Sequence, residues 1–395
     1  MTSSKFDIVV YGATGFTGQL VAEYLAANYK SDSGLKWALA GRNKDKLASV
    51  RDGIGAPADT PLIVADAGDP VSLKAMVAQA KSIITTVGPY QLYGSELVAA
   101  CASAGTDYLD LCGEPLWMRK MIDAHEAAAK ASGARILFSC GFDSIPFELG
   151  VYFLQQAAKK ALGAPVSRVK GRVRAMKGTF SGGTAASARA TFAAVANDLS
   201  LVSMVQDPFV LTPGFDGPKQ PRGNKPLLDE DLGSWTAPFV MATINTRNVH
   251  RSNMLMNFPY GKDFVYDEMV LTGPGEQGEA NAKKVVAAVN AERMGASGGG
   301  PKPGEGPSKE ERENGLYDLL FVAIAPDGRQ ARAVVKGDRD PGYGSTSKMI
   351  SECAICLLRD TPDVAAGIWT PGAAMGRRLI KRLTDHAGLT FGVET

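Results

Sequence analysis

Residues 6–18 read FDIVVYGATGFTG, and the rest of the chain can be organised around this stretch. Ile8, Val9 and Val10 form an unbroken β-branched run, the pattern of a parallel strand buried on both faces. The run stops at Gly12, and Gly12, Gly15 and Gly18 then recur at every third position. Glycines so spaced let the backbone turn tightly, approach a pyrophosphate and pack the following helix closely on its strand. Free N–H groups and the dipole at the helix start favour an anion. The spacing is GxxGxxG rather than GxGxxG, so the strand before it and the amphipathic segment Phe16 to Tyr29 after it carry the reading of a dinucleotide site.

Strand and helix signals then alternate. Leu35 to Ala40 reads as a second strand ending at Gly41-Arg42-Asn43, the tip that lies beside the adenosine ribose in such folds. NAD-binding chains usually place an acid there; this chain places Arg42, with Lys44 and Lys46 near it. A guanidinium grips a phosphate bidentately, which argues for NADP, against the plainer reading of a solvated basic helix start. Pro61 to Asp66 is a third strand whose terminal Asp66 is placed for the adenine amino group. Ser82 to Gly88 is a fourth, closed by Val87-Gly88-Pro89-Tyr90; Tyr108 to Cys112 is a fifth, followed by Gly113 and Glu114; Arg135 to Cys140 is a sixth, followed by GFDSIP at 141–146. Six alternations predict right-handed crossovers and an α/β, doubly wound parallel sheet.

Past Pro146 the pattern changes. A helix over Phe147 to Ala161 precedes a strand bearing Arg172 and Arg174. A second glycine-rich turn, Lys177 to Thr184, then leads into a helical run over Ala185 to Met204, as a cap or as a loop over a ligand. Pro213 to Pro226 and Gly295 to Pro307 read as surface loops. Between them, Met241 to Tyr266 mixes strand-like and polar residues with Met254, Met256, Phe258 and Phe264, either core or the lining of an apolar pocket. Leu316 to Ile324 and Gln330 to Lys336 read as a hairpin, and Asp340 to Thr346 opens a helix to Leu358.

At 395 residues, with 45% hydrophobic and 21% charged positions, the chain has room for two domains and a large core. A net charge of +2 without a basic block argues against nucleic acid as a partner. The chain starts without a leader pattern and contains no run of the roughly 18 apolar residues a spanning helix needs, so no transmembrane segment and a cytoplasmic location are expected. Five scattered cysteines do not form a disulfide framework, and the pair Cys353 and Cys356 lies in an apolar helical run with no second ligand pair, so no metal site is expected.

The ordered set GATGFTG, AGR, TVGPY, YLDLCGE, GFDSIP, DPGYGSTSKM and GIWTPGAAMG spans nearly the whole chain and resembles the saccharopine-dehydrogenase-like oxidoreductases, most of all bacterial chains described as trans-acting enoyl reductases. The resemblance implies an N-terminal NADP-binding Rossmann domain over residues 1–145, an α+β substrate domain over 146–340, and C-terminal helices over 341–395 that pack back on the first. By position it assigns Gly12, Ala13, Thr14, Gly15, Phe16, Thr17, Arg42, Asp66, Val87, Gly88 and Pro89 to the cofactor. It implies an acyl substrate, small or carried on another protein, and leaves a homodimer as the assembly to test.

Hydride transfer needs a group that polarises the substrate and supplies a proton. The candidates at strand ends are Tyr90, Tyr93, Asp143 and Ser144, with Glu114 and Cys112 as further groups facing the crevice. Each has a plain alternative: Tyr90 packing its turn, Asp143 and Ser144 capping the next helix. No YxxxK occurs, which disfavours the short-chain dehydrogenase mechanism. Two reductions compete, that of a conjugated C=C bond in an acyl substrate and that of a C=N bond on a substrate with several carboxylates. The second would need clustered cations, which Arg172, Arg174, Arg189, Arg247 and Arg251 could supply. A non-catalytic NADP(H)-sensing protein is the third reading.

Overall fold

The computed structural model describes residues 4–394 apart from 31, 33, 180–186, 188, 189, 192–195, 199, 200 and 294–304. Most of the second glycine-rich turn, much of the run after it, Arg189 and most of the Gly295 to Pro307 segment therefore lie outside the described residues.

The first sheet holds β1 (Phe6–Tyr11), β2 (Trp37–Gly41), β3 (Leu62–Val64), β4 (Ala80–Thr85), β5 (Asp107–Leu109) and β6 (Arg135–Leu137). They lie in the order β3-β2-β1-β4-β5-β6, all parallel. The chain leaves β1 toward β2 on one side and later returns to β4 on the other, so a crevice opens at the carboxyl ends of β1 and β4. Ile8, Val9 and Val10 are fully buried, as a strand covered by helices on both faces requires. Most strands stop two or three residues before the apolar run does: Phe138, Ser139 and Cys140 continue beyond β6 as buried coil, so apolar content marked the buried path rather than the ladder.

The second sheet is mixed. It comprises β7 (Arg168–Lys177), β8 (Leu227–Asp229), β9 (Ser234–Pro238), β10 (Val265–Gly273), β11 (Leu316–Ile324) and β12 (Gln330–Gly337). β7 and β10 pair in parallel, and the expected hairpin β11–β12 pairs from Tyr317 opposite Gly337 to Ile324 opposite Gln330. The C-terminal segment then feeds both sheets. β13 (Gly367–Trp369) adds in parallel beside β6, and β14 (Leu389–Glu394) pairs with β12 at the edge of the second sheet.

One segment departs from the strand-like reading. Ala242–Leu255 is an α-helix despite its Thr, Ile and Val content. The helix packs on the helix Ile145–Leu162 and β10, burying Val249 in the core they share and Ile244 among first-sheet residues, and that burial overrides weak local propensity. Of the Met and aromatic residues noted there, Phe264 is buried core, and Met256 is half-buried against it. Met254 is also half-buried. Among the described residues no helix is long and apolar enough to cross a membrane.

Candidate functional site

The glycine turn closes as the sequence predicts. The Gly12 and Ala13 N–H groups both donate to the Ala40 carbonyl at the end of β2, at 3.0 and 3.1 Å, and the Gly15 N–H donates back to Gly12 O at 2.9 Å. Gly12 has φ +88°, and a Cβ there would stand 2.8 Å from Thr86 Oγ1 and from Val87 Cγ2. The helix Phe16–Tyr29 starts at Gly15 with no side-chain cap and no acid in its first turn, so its leading N–H groups remain for an anion.

At the neighbouring strand ends stand Tyr11, Arg42 and Asp66. Arg42 is exposed and, among the described residues, makes no hydrogen bond or ion pair. Asp66 Oδ1 accepts from the Gly68 N–H at 2.8 Å, which fixes the turn after β3. Burial pushes the Tyr11 hydroxyl up to about 12, reinforced by Asp66 and opposed by Arg42, so all three share one neighbourhood. A free guanidinium beside a glycine turn fits a 2′-phosphate. Arg42→Ala is expected to weaken NADPH about 10- to 100-fold, a loss of the order of a charge-assisted bond, while NADH changes by less than about threefold. Equal losses in a fluorescence titration would remove Arg42 from this role.

The ends of β4, β5 and β6 are tied together by buried polar groups. The Glu114 carboxylate accepts from the Tyr90 N–H at 2.9 Å and the Gln91 N–H at 2.8 Å, holding the short helix Tyr90–Tyr93 behind Gly88-Pro89, whose peptide bond is cis. The Tyr90 hydroxyl, a candidate proton donor from sequence, instead donates to Thr85 O at 3.2 Å and accepts from the Leu111 N–H at 3.1 Å. Its bonding capacity is spent on the framework. Tyr93 is half exposed at the outer end of that helix. Asp110 accepts from the Tyr108 hydroxyl and from the Cys112 and Ser139 N–H groups, each at 2.9 Å, and burial pushes its carboxyl up to about 7. Cys112 is fully buried with its thiol pushed up, so it offers no thiolate.

Asp143 and Ser144, joined by a cis peptide bond, follow β6. Ser144 Oγ accepts from Asn248 Nδ2 at 2.8 Å. Among the described residues, the Asp143 Oδ1, Asn245 Oδ1 and Asn248 Oδ1 atoms are buried without a hydrogen-bond partner, and burial pushes the Asp143 carboxyl up to about 7. Asn245 and Asn248, three residues apart and so on one helix face, could not be found from sequence, because the segment was not read as a helix.

Two late motifs brace the crevice. In DPGYGST, Asp340 accepts from the Gly344 and Tyr343 N–H groups at 2.7 and 3.0 Å. Tyr343 packs edge-on against Phe16 with ring centroids 5.2 Å apart, and Thr346 Oγ1 accepts from the Phe142 N–H at 2.9 Å. In GIWTPG, Glu148 accepts from the Gly372 N–H at 2.9 Å and the Ser252 hydroxyl at 3.0 Å, while the Arg251 guanidinium donates to the Leu211 and Ile368 carbonyls. Burial pushes Glu148 up to about 8.

Asp110, Asp143 and Glu148 thus hold protons in the folded state that the unfolded chain releases near pH 4 to 4.5. Their contribution to stability is full below that pH and is lost as pH rises through about 7 to 8. The melting temperature should fall by a few degrees between pH 5.5 and 8.5, and by less in Glu148→Gln. An identical slope in that variant would mean Glu148 titrates normally.

Residues 8–137 match the family model described as the saccharopine dehydrogenase NADP binding domain. A Mycobacterium tuberculosis protein provisionally named a trans-acting enoyl reductase is 40% identical over 97% of this chain and 96% of its own length. The Mycobacterium leprae protein named trans-acting enoyl reductase is 39% identical over 98% and 97%. Among solved structures, the saccharopine dehydrogenase (L-Glu forming) of Saccharomyces cerevisiae aligns over 99% of this chain and 100% of its own at TM-score 0.56 and 12% identity. The homospermidine synthase of Legionella pneumophila, solved with NAD, aligns over 99% and 91% at TM-score 0.53 and 10% identity. Likeness at such identities speaks for the shared fold alone.

Proposed function

We propose, from the premise that this chain belongs to the saccharopine-dehydrogenase-like family of NADP-dependent oxidoreductases, that it reduces the conjugated C=C bond of an enoyl thioester. The observation that carries this reading over C–N chemistry is where the arginines go. A substrate with several carboxylates needs cations free to meet it. Arg172 is buried and paired with Asp229 and Asp267, each at 2.9 Å. Arg174 pairs with Asp318 at 2.9 Å and Glu394 at 2.7 Å. Arg247 donates to the Thr243, Val205 and Asp207 carbonyls, and Arg251 to two more. Of these four, only the buried Nε of Arg251 lacks a partner among the described residues, and Arg189 lies outside them. What the crevice presents instead are Asp143, Ser144, Asn245 and Asn248, suited to a neutral acyl group.

Gly12, Ala13, Thr14, Gly15, Phe16 and Thr17 would hold the pyrophosphate, Arg42 the 2′-phosphate, Asp66 the adenosine side, and Val87, Gly88 and Pro89 the nicotinamide side. When bound, NADPH supplies the hydride. The chain's own part is to shelter the site and provide a proton. Asp143 is the donor, since burial leaves its carboxyl substantially protonated near neutral pH. Ser144, fixed by Asn248, lies beside it for the thioester carbonyl, and Tyr93 lies toward the outside, where an acyl chain or its carrier would enter. The relatives' name, trans-acting, fits a thioester carried on another protein, and a cytoplasmic setting fits such a partner.

Purified protein with NADPH should oxidise the cofactor on adding an enoyl thioester, followed at the absorbance of the reduced nicotinamide. It should stay silent with an amino acid and a 2-oxo acid. Turnover with that second pair alone would overturn the assignment.

A further inference from the structure

The path from β5 and β6 to Asp143 and Ser144 contains one residue too many for a regular ladder. The Asp110 N–H donates to Leu137 O at 3.2 Å, so parallel pairing would next carry the Ser139 N–H to Asp110 O. The Cys140 N–H makes that bond instead, at 2.7 Å, and Ser139 is left over as a bulge in the left-handed region, with φ +59°. The Asp110 side chain takes up what the bulge releases. Its Oδ1 accepts from the Ser139 and Cys112 N–H groups and its Oδ2 from the Tyr108 hydroxyl, each at 2.9 Å. Ser139 Oγ donates to Cys112 O at 2.6 Å, and Asp110 and Ser139 are both fully buried. From this knot the chain runs directly to the crevice: Ser139 O accepts from the Ser144 N–H at 3.1 Å, closing the loop that carries Asp143.

We propose that Asp110 is a positioning residue, which by holding the bulge at Ser139 aims Asp143 and Ser144 at the substrate. Without its carboxyl the Ser139 and Cys112 N–H groups and the Tyr108 hydroxyl lose their acceptor in a dry interior. The chain regains one bond by pulling Ser139 into register with Asp110 O. That slip moves every residue from Cys140 onward and draws Ser139 O away from the Ser144 N–H. A displacement of about 1 Å at a proton donor costs about 100-fold in rate. The inference rests on Asp143 and Ser144 being the groups that meet the substrate.

The test compares Asp110→Ala with Asp110→Asn, which keeps an oxygen for both N–H groups and turns its amide to the Tyr108 hydroxyl. With NADPH and an enoyl thioester, kcat of Asp110→Ala should fall about 10- to 100-fold, and that of Asp110→Asn by less than about threefold. NADPH affinity, read by fluorescence titration, should stay within about twofold in both, since the phosphate turn is untouched. Because Asp110 acts through Asp143, adding Asp110→Ala to Asp143→Asn should lower kcat by less than about a further twofold. The Ser144 amide should exchange its hydrogen about tenfold faster or more in Asp110→Ala. Unchanged kcat or unchanged exchange in Asp110→Ala, an equal loss in Asp110→Asn, or independent losses in the double variant would overturn the role. If Asp110→Ala does not fold, Ser139→Gly replaces it, since glycine suits the left-handed backbone and only the tie to Cys112 O is removed. Its kcat should fall about three- to tenfold with the melting temperature nearly unchanged, and full activity would overturn the proposal. A fully active Asp143→Asn instead overturns the donor assignment, and the proposal with it.

Discussion

Replacing Asp143 by Asn should lower kcat for enoyl thioester reduction by about 100- to 1000-fold, the usual contribution of a positioned general acid. NADPH affinity should change little. The substitution is nearly isosteric, and among the described residues Asp143 Oδ1 makes no hydrogen bond whose loss would disturb the fold. What disappears is a carboxyl that burial holds near pH 7, able both to keep a proton and to release it at neutral pH. A purely structural role would show as a lower melting temperature with kcat nearly intact. The two outcomes separate when kcat, KM and thermal stability are measured on the same preparation. The alkaline limb supplies a further check: with Asp143 gone, residual activity should lose its dependence on pH between about 7 and 9, because no acid remains to titrate there.

The parts of this molecule that could be read from its residues are those governed by local chemistry. A β-branched run, a glycine triplet and Arg42 at the tip of the second strand each have a physical meaning within a few residues, and the alternation of strands and helices implies a doubly wound parallel sheet. The hairpin β11–β12 was equally plain. The helix Ala242–Leu255 was hidden because its buried face is polar: Asn245, Asn248, His250 and Ser252 occupy positions where a core helix ordinarily shows apolar residues. Asn245, Asn248 and Ser252 are buried because they face other polar groups, Glu268, Ser144 and Glu148, supplied by distant parts of the chain. No local pattern encodes that pairing.

The same reasoning explains the roles that shifted. Tyr90 and Glu114 stand at strand ends, which made them candidates for chemistry, and both were found bonded into the turn that shapes the crevice. Position along the sequence says that a residue is near the site; only the hydrogen-bond partners say whether its polar atoms are free to act. By that criterion Asp143 stays a candidate and Tyr90 does not. Arg172 illustrates the converse, since its place on β7 suggested a cation for substrate, whereas its two aspartate partners lie on two other strands, β8 and β10.

Gly18→Ala should cost about 3 kcal/mol or more and abolish NADPH binding, although only one methyl group is added. A Cβ at this position would stand 2.1 Å from the Gly12 carbonyl oxygen, 2.7 Å from its carbon and 2.8 Å from Thr86 Oγ1. The first two obstacles are backbone, pinned by the Gly12 N–H bond to Ala40 O and by the Gly15 N–H bond to Gly12 O itself. The turn can yield only by breaking those bonds or by lifting the helix Phe16–Tyr29 off β1. Either movement displaces the N–H groups that meet the pyrophosphate. Gly53→Ala, at a position with no heavy atom within 4 Å of the added carbon, is the matched control and should be neutral or slightly stabilising. Denaturant unfolding of both variants, with NADPH titration of each, separates the two causes. If Gly18→Ala bound NADPH with ordinary affinity, the third glycine would be packing the helix without shaping the phosphate site, and Gly12 and Gly15 alone would define the motif.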